Sequence, residues 1–151
     1  MSHIIIQETD FQKARKKIRD AKKEQPGKEI IFSSNDDELN RKILEKEEID
    51  ILLLNMSKRK DRMKQRDSGF NQVLAKLSKR KEVSLGINLD EILSSKGKEK
   101  LEILARIRQN VKLCNKDKVK MKFISKEKHD RYNLKSLGLV LGMPTWMTSN
   151  L

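Results

Sequence analysis

Five short apolar runs, rich in Ile, Leu and Val, punctuate the chain: His3 to Gln7, Glu29 to Ser34, Ile49 to Asn55, Val83 to Leu89 and Val119 to Ser125. Each predicts a buried strand. Segments between them repeat apolar residues at helical spacing. Phe11, Ala14, Ile18 and Ala21 share one face; Phe70, Val73, Leu74 and Leu77 share a second; Leu101, Leu104, Ile107 and Val111 share a third. This alternation implies parallel strands joined by right-handed crossovers, with helices covering the sheet, and so an α/β fold. Local signals agree. Asp10 suits a first N-cap, Asn35 with Glu38 a capping box, and Asn133 the cap of a final helix that Gly142 ends ahead of Pro144. Gln25-Pro26-Gly27 is a turn that closes the first helix. With no linker or repeat in view, residues 1–151 are expected to form a single domain. Two segments read as irregular, the loop 56–66 and the tail 143–151, whose Trp146 is expected to dock on a neighbour. Periodicity leaves open whether the strands make an open sheet or part of a barrel, and either form exposes two strand edges.

Composition narrows the surface more than the fold. Charged residues make up 38% of the 151 and aromatics 4%, so the core must be aliphatic and the surface strongly ionic, as in heat-adapted or RNA-handling proteins. No run approaches the roughly 18 consecutive apolar residues of a membrane span, and the start lacks the basic-then-apolar pattern of a signal peptide. A cytoplasmic protein without a membrane partner is expected. The lone Cys114 reads as a buried, reduced thiol. The net charge of +13 is unevenly spread: residues 1–54 hold 11 basic and 12 acidic side chains, which leaves +14 on residues 55–151. Attraction for a polyanion is therefore confined to the second part, since neutralising phosphates releases condensed counterions.

That charge peaks directly after the third strand, where Ser57 to Arg66 carries six cations against one Asp. Lys58, Arg59, Lys60, Arg62, Lys64 and Arg66 would stand at a strand C-terminus, the end that forms the functional face of parallel α/β structures. Asp67, Ser68 and Gly69 follow as an expected helix N-terminus with free N–H groups, which brings Ser68 into the candidate anion site. Arg106, Arg108 and Lys112 read as the polar side of a later helix, with the two Arg able to take phosphates bidentately. Arg131 completes the candidate RNA-binding set. Lys120 and Lys122 alternate with Met121 and Phe123, as on an edge strand protected by charge. Catalytic metal chemistry finds little support, because His3 and His129 are the only histidines and Asp36-Asp37-Glu38 are accounted for by helix capping. No catalytic residue is assigned. A phosphate-binding glycine loop is absent, and so few aromatics favour contacts to RNA backbone and shape over base stacking.

The run Arg66-Asp67-Ser68-Gly69-Phe70-Asn71-Gln72-Val73-Leu74-Ala75-Lys76-Leu77, set between the third and fourth strands, resembles archaeal ribonuclease P protein component 3. So does Tyr132 to Met143, after the last strand, and the helix with Arg106, Asn110 and Leu113 lies in the corresponding place between them. The resemblance spans about residues 49–143. It implies a partial or compact barrel of the TIM type in a short form of the family, lacking about two strand-helix units at its start. It also implies a subunit of ribonuclease P, with partners in the catalytic RNA, a small α/β protein and other small proteins, and precursor tRNA met indirectly. The RNA performs the hydrolysis with Mg2+, and the protein itself binds no cofactor. The family usually has His where this chain has Gln72. The alternative is a general RNA-binding or ribosome-associated protein, which the basic surface alone would permit; a stand-alone metallo-phosphoesterase would need ligands the sequence lacks.

Overall fold

The computed structural model describes residues 3–151. Five strands, β1 (His3–Gln7), β2 (Glu29–Ser33), β3 (Ile51–Leu54), β4 (Ser84–Asn88) and β5 (Met121–Ile124), form one parallel sheet in the order β1-β2-β3-β4-β5. The helices are α1 (Phe11–Glu24), α2 (Asp37–Lys46), α3 (Gln72–Arg80), a short α4 (Leu89–Ser94), α5 (Gly97–Asp117), α6 (Arg131–Val140) and α7 (Thr145–Thr148). Strands that are neighbours in both sequence and space, with right-handed crossovers, put every connecting helix on the same face. An open doubly wound sheet would reverse its order partway. The question that periodicity left open is thereby answered in favour of a partial TIM-type barrel.

Alternate strand residues separate two packing layers. Ile4, Ile6, Ile30, Phe32, Leu52, Leu54, Leu85, Ile87 and Met121 face the helices and join Ala14, Ile18, Ile43, Ala75, Ile103 and Ile107 in the main core. Each fully buried Leu, Ile or Phe there contributes about 1.5–3 kcal/mol. Ile31, Ile51, Leu53 and Ile124 form a second cluster on the inner face. Lys122 Nζ lies 3.7 Å from Glu29 Oε2, although β3 and β4 separate their strands. The sheet is therefore strongly curled. Gly86 makes room for that curl: a Cβ on it would stand 3.0 Å from Ile51 Cγ2 and 3.2 Å from Leu53 Cδ1. Among the described residues β1 and β5 pair on one side only, and Ile5 on the inner face of β1 is 44% exposed.

Several local expectations shift. Asp36, not Asn35, caps α2, accepting from the N–H groups of Glu38 and Leu39, and Asp130, not Asn133, caps α6, which starts at Arg131. Gly142 does end α6 at φ +95, but the tail beyond it is not irregular. It contains α7, and Met143 and Met147 are buried in the main core. Trp146 docks on its own chain, donating from Nε1 to Asn115 Oδ1 at 2.9 Å with Lys118 Nζ 5.2 Å from its ring. Burial pushes the Cys114 thiol up to about 12, so it stays protonated at neutral pH. Among the described residues, no helix is long and apolar enough to cross a membrane.

Candidate nucleic-acid interface

The basic loop leaves β3 at its C-terminal end, and polar side chains of α4 and α5 hold its backbone at Met56, Arg59 and Arg66. Glu91 accepts from Met56 N at 2.6 Å and from Ser57 Oγ at 2.8 Å. Arg106 donates to the carbonyls of Met56 at 2.7 Å and Arg59 at 2.8 Å, and its Nε meets Asp61 Oδ1 at 3.0 Å. Gln109 donates to Arg66 O at 2.9 Å and to Ser68 Oγ at 3.1 Å, and Asn110 donates to Ser68 O at 3.3 Å. Asp61 turns back to accept from the Asp67 N–H at 2.8 Å and to pair with Arg66 at 3.2 Å. Desolvation alone would raise the Asp61 carboxyl, yet Arg106 and the Asp67 N–H hold it below the usual carboxylate range. The loop is thus anchored at Met56, Arg59, Asp61 and Arg66, and it presents Lys60, Arg62 and Lys64 from the stretch between these points.

Three candidate residues serve that frame and do not face outward. Arg106 is 2% exposed, on the buried side of α5, which corrects its placement on the polar face. Buried in this way, its fork is satisfied by carbonyls and Asp61 and is not available to a phosphate. Ser68 is likewise 2% exposed, because α3 begins only at Gln72 with Asn71 as its cap; Ser68 lies beneath the loop and opens no helix. Arg59 crosses to α2, pairing both Nη atoms with Asp37 at 2.9 and 3.1 Å and reaching Asp67 at 3.2 Å. Burial opposes its charge, but Asp37 and Asp67 more than offset that, and its pKa is raised. The guanidinium lies flat on Gly69, where a Cβ would come within 2.6 Å of Nη2 and where φ is +70. Only glycine fits there.

The other candidates remain exposed. Lys58, Lys60, Arg62, Lys64, Arg108, Lys112 and Arg131 form no ion pair among the described residues. A cleft of about 570 Å³ between the loop and the outer side of α5 brings Arg62, Lys64, Arg66, Arg108 and Lys112 together. A second, of about 560 Å³, runs on the other side of the loop toward α2 and α3 and is lined by Lys60, Arg62 and Arg66 with Arg41, Asp37 and Glu38. Met63, fully exposed, lines the first cleft. Lys58, at φ 58, lines neither cleft, and Arg131 opens α6 outside both. The first cleft gathers three loop cations and two from α5, which neither segment implies by itself. Chemically it can hold a run of phosphates by point charges and two or three guanidinium forks.

Sequence reasoning missed Asp61, Glu91, Gln109, Asn110 and Arg41. For Asn110 a signal was present. Ile103, Arg106, Ile107, Asn110, Val111 and Cys114 follow a single helical stripe, so two polar residues stand in phase with the core. Polar side chains in that phase must find buried partners, and here the partners are loop carbonyls.

No protein-family model matches the chain. It is similar to ribonuclease P protein component 3 of Methanococcus maripaludis strain S2, with 27% identity over 113 residues, covering 75% of this chain and 46% of that protein. The same protein of Methanococcus vannielii is 29% identical over 107 residues, covering 71% and 43%. That of Methanosarcina acetivorans is 32% identical over 87 residues, covering 58% and 34%. The chain thus spans about half the length of the curated relatives it matches. A chain in the cryo-EM structure of archaeal ribonuclease P with mature tRNA superposes with a TM-score of 0.77 at 23% identity, over 97% of this chain and 62% of the other. At that identity the superposition shows a shared fold.

Proposed function

From this likeness to ribonuclease P protein component 3, we propose that the chain is a protein subunit of ribonuclease P that binds and supports the catalytic RNA removing 5′ leaders from precursor tRNA. The observation that carries the proposal is the cleft between the loop and α5, where unpaired Arg62, Lys64, Arg108 and Lys112 converge on an anchored frame. Cations on a loop anchored at several points bind a polyanion with less chain left to order, so less of the gross attraction is spent on entropy. The acids near the cleft do not point to hydrolysis by the protein. Asp61 is engaged by Arg106 and Arg66, and Asp67 by Arg59. Hydrolysis, with its Mg2+, belongs in this proposal to the RNA, a reading that rests on the likeness to ribonuclease P protein component 3. The open edges of β1 and β5 support a protein partner that covers one of them, a role suited to a small α/β subunit.

Reconstitution tests the proposal. Added to the catalytic RNA with its partner subunit, the chain should lower the Mg2+ concentration needed for cleavage of precursor tRNA, as protein cations take over part of the screening. An unchanged Mg2+ profile, or cleavage by the protein without RNA, would overturn it.

A further inference from the structure

A second polar site lies beside the basic loop, at the C-terminal mouth of the half-barrel. Gln7 of β1, Ser33 of β2 and Asn55 after β3 continue the inward-facing positions of their strands and, with Thr9 and Asn35, line a hollow of about 580 Å³. That is within the roughly 300–1,000 Å³ of ligand pockets. Its character differs from that of the clefts. Glu8 and Asp36 also line it but are engaged, Glu8 by Lys17 at 2.8 Å and Asp36 as the α2 cap, and the rest of the wall is made of neutral amides and hydroxyls. The amides are set in order: Asn88 Nδ2 donates to Asn55 Oδ1 at 2.9 Å, and Asn55 Nδ2 to Asn35 Oδ1 at 3.2 Å. This chain of bonds leaves the Asn35 amide N–H groups and the Gln7 side chain without partners among the described residues. Beneath them the Ser33 hydroxyl is buried with no partner.

We propose that this mouth takes one unpaired nucleotide of the RNA whose backbone the adjoining basic loop holds. Amides carry both donors and acceptors, the complement of a base edge, and proteins that read RNA do so largely on bases splayed out of the helix. Site and loop share a wall. Arg59 Nε donates to the Asn55 carbonyl at 2.7 Å, and the Asp37 it pairs with follows Asp36 on the rim. A free mononucleotide would need its own phosphate cradle, which a wall of amides, hydroxyls and two carboxylates does not offer. The cradle is the loop next door.

The inference rests on the proposed RNA-binding role, and two hairpin RNAs differing by one bulged nucleotide separate the two claims. The wild-type chain should bind the bulged hairpin about tenfold tighter than the fully paired one, with equal salt slopes. Gln7→Ala with Asn35→Ala, and separately Thr9→Trp, which fills the mouth from its exposed rim, should abolish that preference while leaving the slope intact. A preference that survives both variants, or that the wild type lacks while still binding both hairpins with a steep slope, overturns the nucleotide site alone. Excess mononucleotide that abolishes the preference would overturn the RNA-borne assignment in favour of a free nucleotide. No salt-dependent binding of either hairpin overturns the RNA-binding role and this inference with it.

Discussion

Arg106 and Arg108 stand two residues apart on α5 and should behave oppositely on truncation. Arg106→Ala removes a buried guanidinium that satisfies two loop carbonyls and Asp61, and approaches Glu102 at 3.6 Å. Breaking a buried charged pair by deleting one partner costs about 3–5 kcal/mol. Asp61 retains 25% side-chain exposure and water can enter the truncated site, which favours the lower end, about 3 kcal/mol. For a chain of this size each kcal/mol is worth about 2–4 °C, so melting should fall by about 6–12 °C. The freed loop should also lose RNA affinity, because its cations no longer share a frame. Arg108→Ala removes an exposed cation without an ion pair, so melting should stay within about 1 °C while the slope of log K against log salt shrinks by about 0.9 per lost phosphate contact on a duplex. Calorimetry and salt titration on both variants decide the matter. If Arg106→Ala melts like wild type, the loop is not held from α5 and the account of the cleft fails.

Other outcomes follow from the same geometry. Lys60→Ala, Arg62→Ala and Lys64→Ala combined should flatten the salt slope with melting unchanged; an unaltered slope would remove the loop from the RNA surface. Because the Asp61 carboxyl is held down in the folded chain, its contribution is present above the ordinary carboxylate range and is lost as pH falls through the depressed folded value. The melting difference between wild type and Asp61→Asn should therefore be largest near neutrality and vanish in acid, and a difference independent of pH would contradict the pairing. Gly86→Ala should cost about 1–3 kcal/mol by crowding Ile51, Leu53 and Ile124 across the curled inner face, and a neutral result in urea denaturation would mean a flatter sheet.

The strands were legible because β2, β3 and β4 are buried on both faces and β1 and β5 on their helix face, which leaves apolar runs that stand out against a 38% charged background. Strand order was not, since period and length are the same in a doubly wound sheet and in a barrel. On α5 the apolar stripe was set by Leu101, which is 69% exposed, when the buried side centres on Ile103 and Ile107. The difference comes from Arg106 and Asn110, which look like surface residues until the loop 45 and 42 residues earlier is known to lie over them. Val73, 64% exposed, was misplaced on α3 in the same way. Within the loop the sequence located the charge but could not divide it. Arg59 and Arg62 differ only in that Asp37 and Asp67 lie within reach of the first, a fact of tertiary structure.

The most direct measurement is to crosslink the chain to RNA in its native cells, purify it and sequence what is attached. Ribonuclease P RNA is expected above all other species, with the crosslinked peptides falling in residues 58–66 and around Arg108 and Lys112. Ribosomal RNA in its place, or crosslinks confined to the helices far from that cleft, would contradict it.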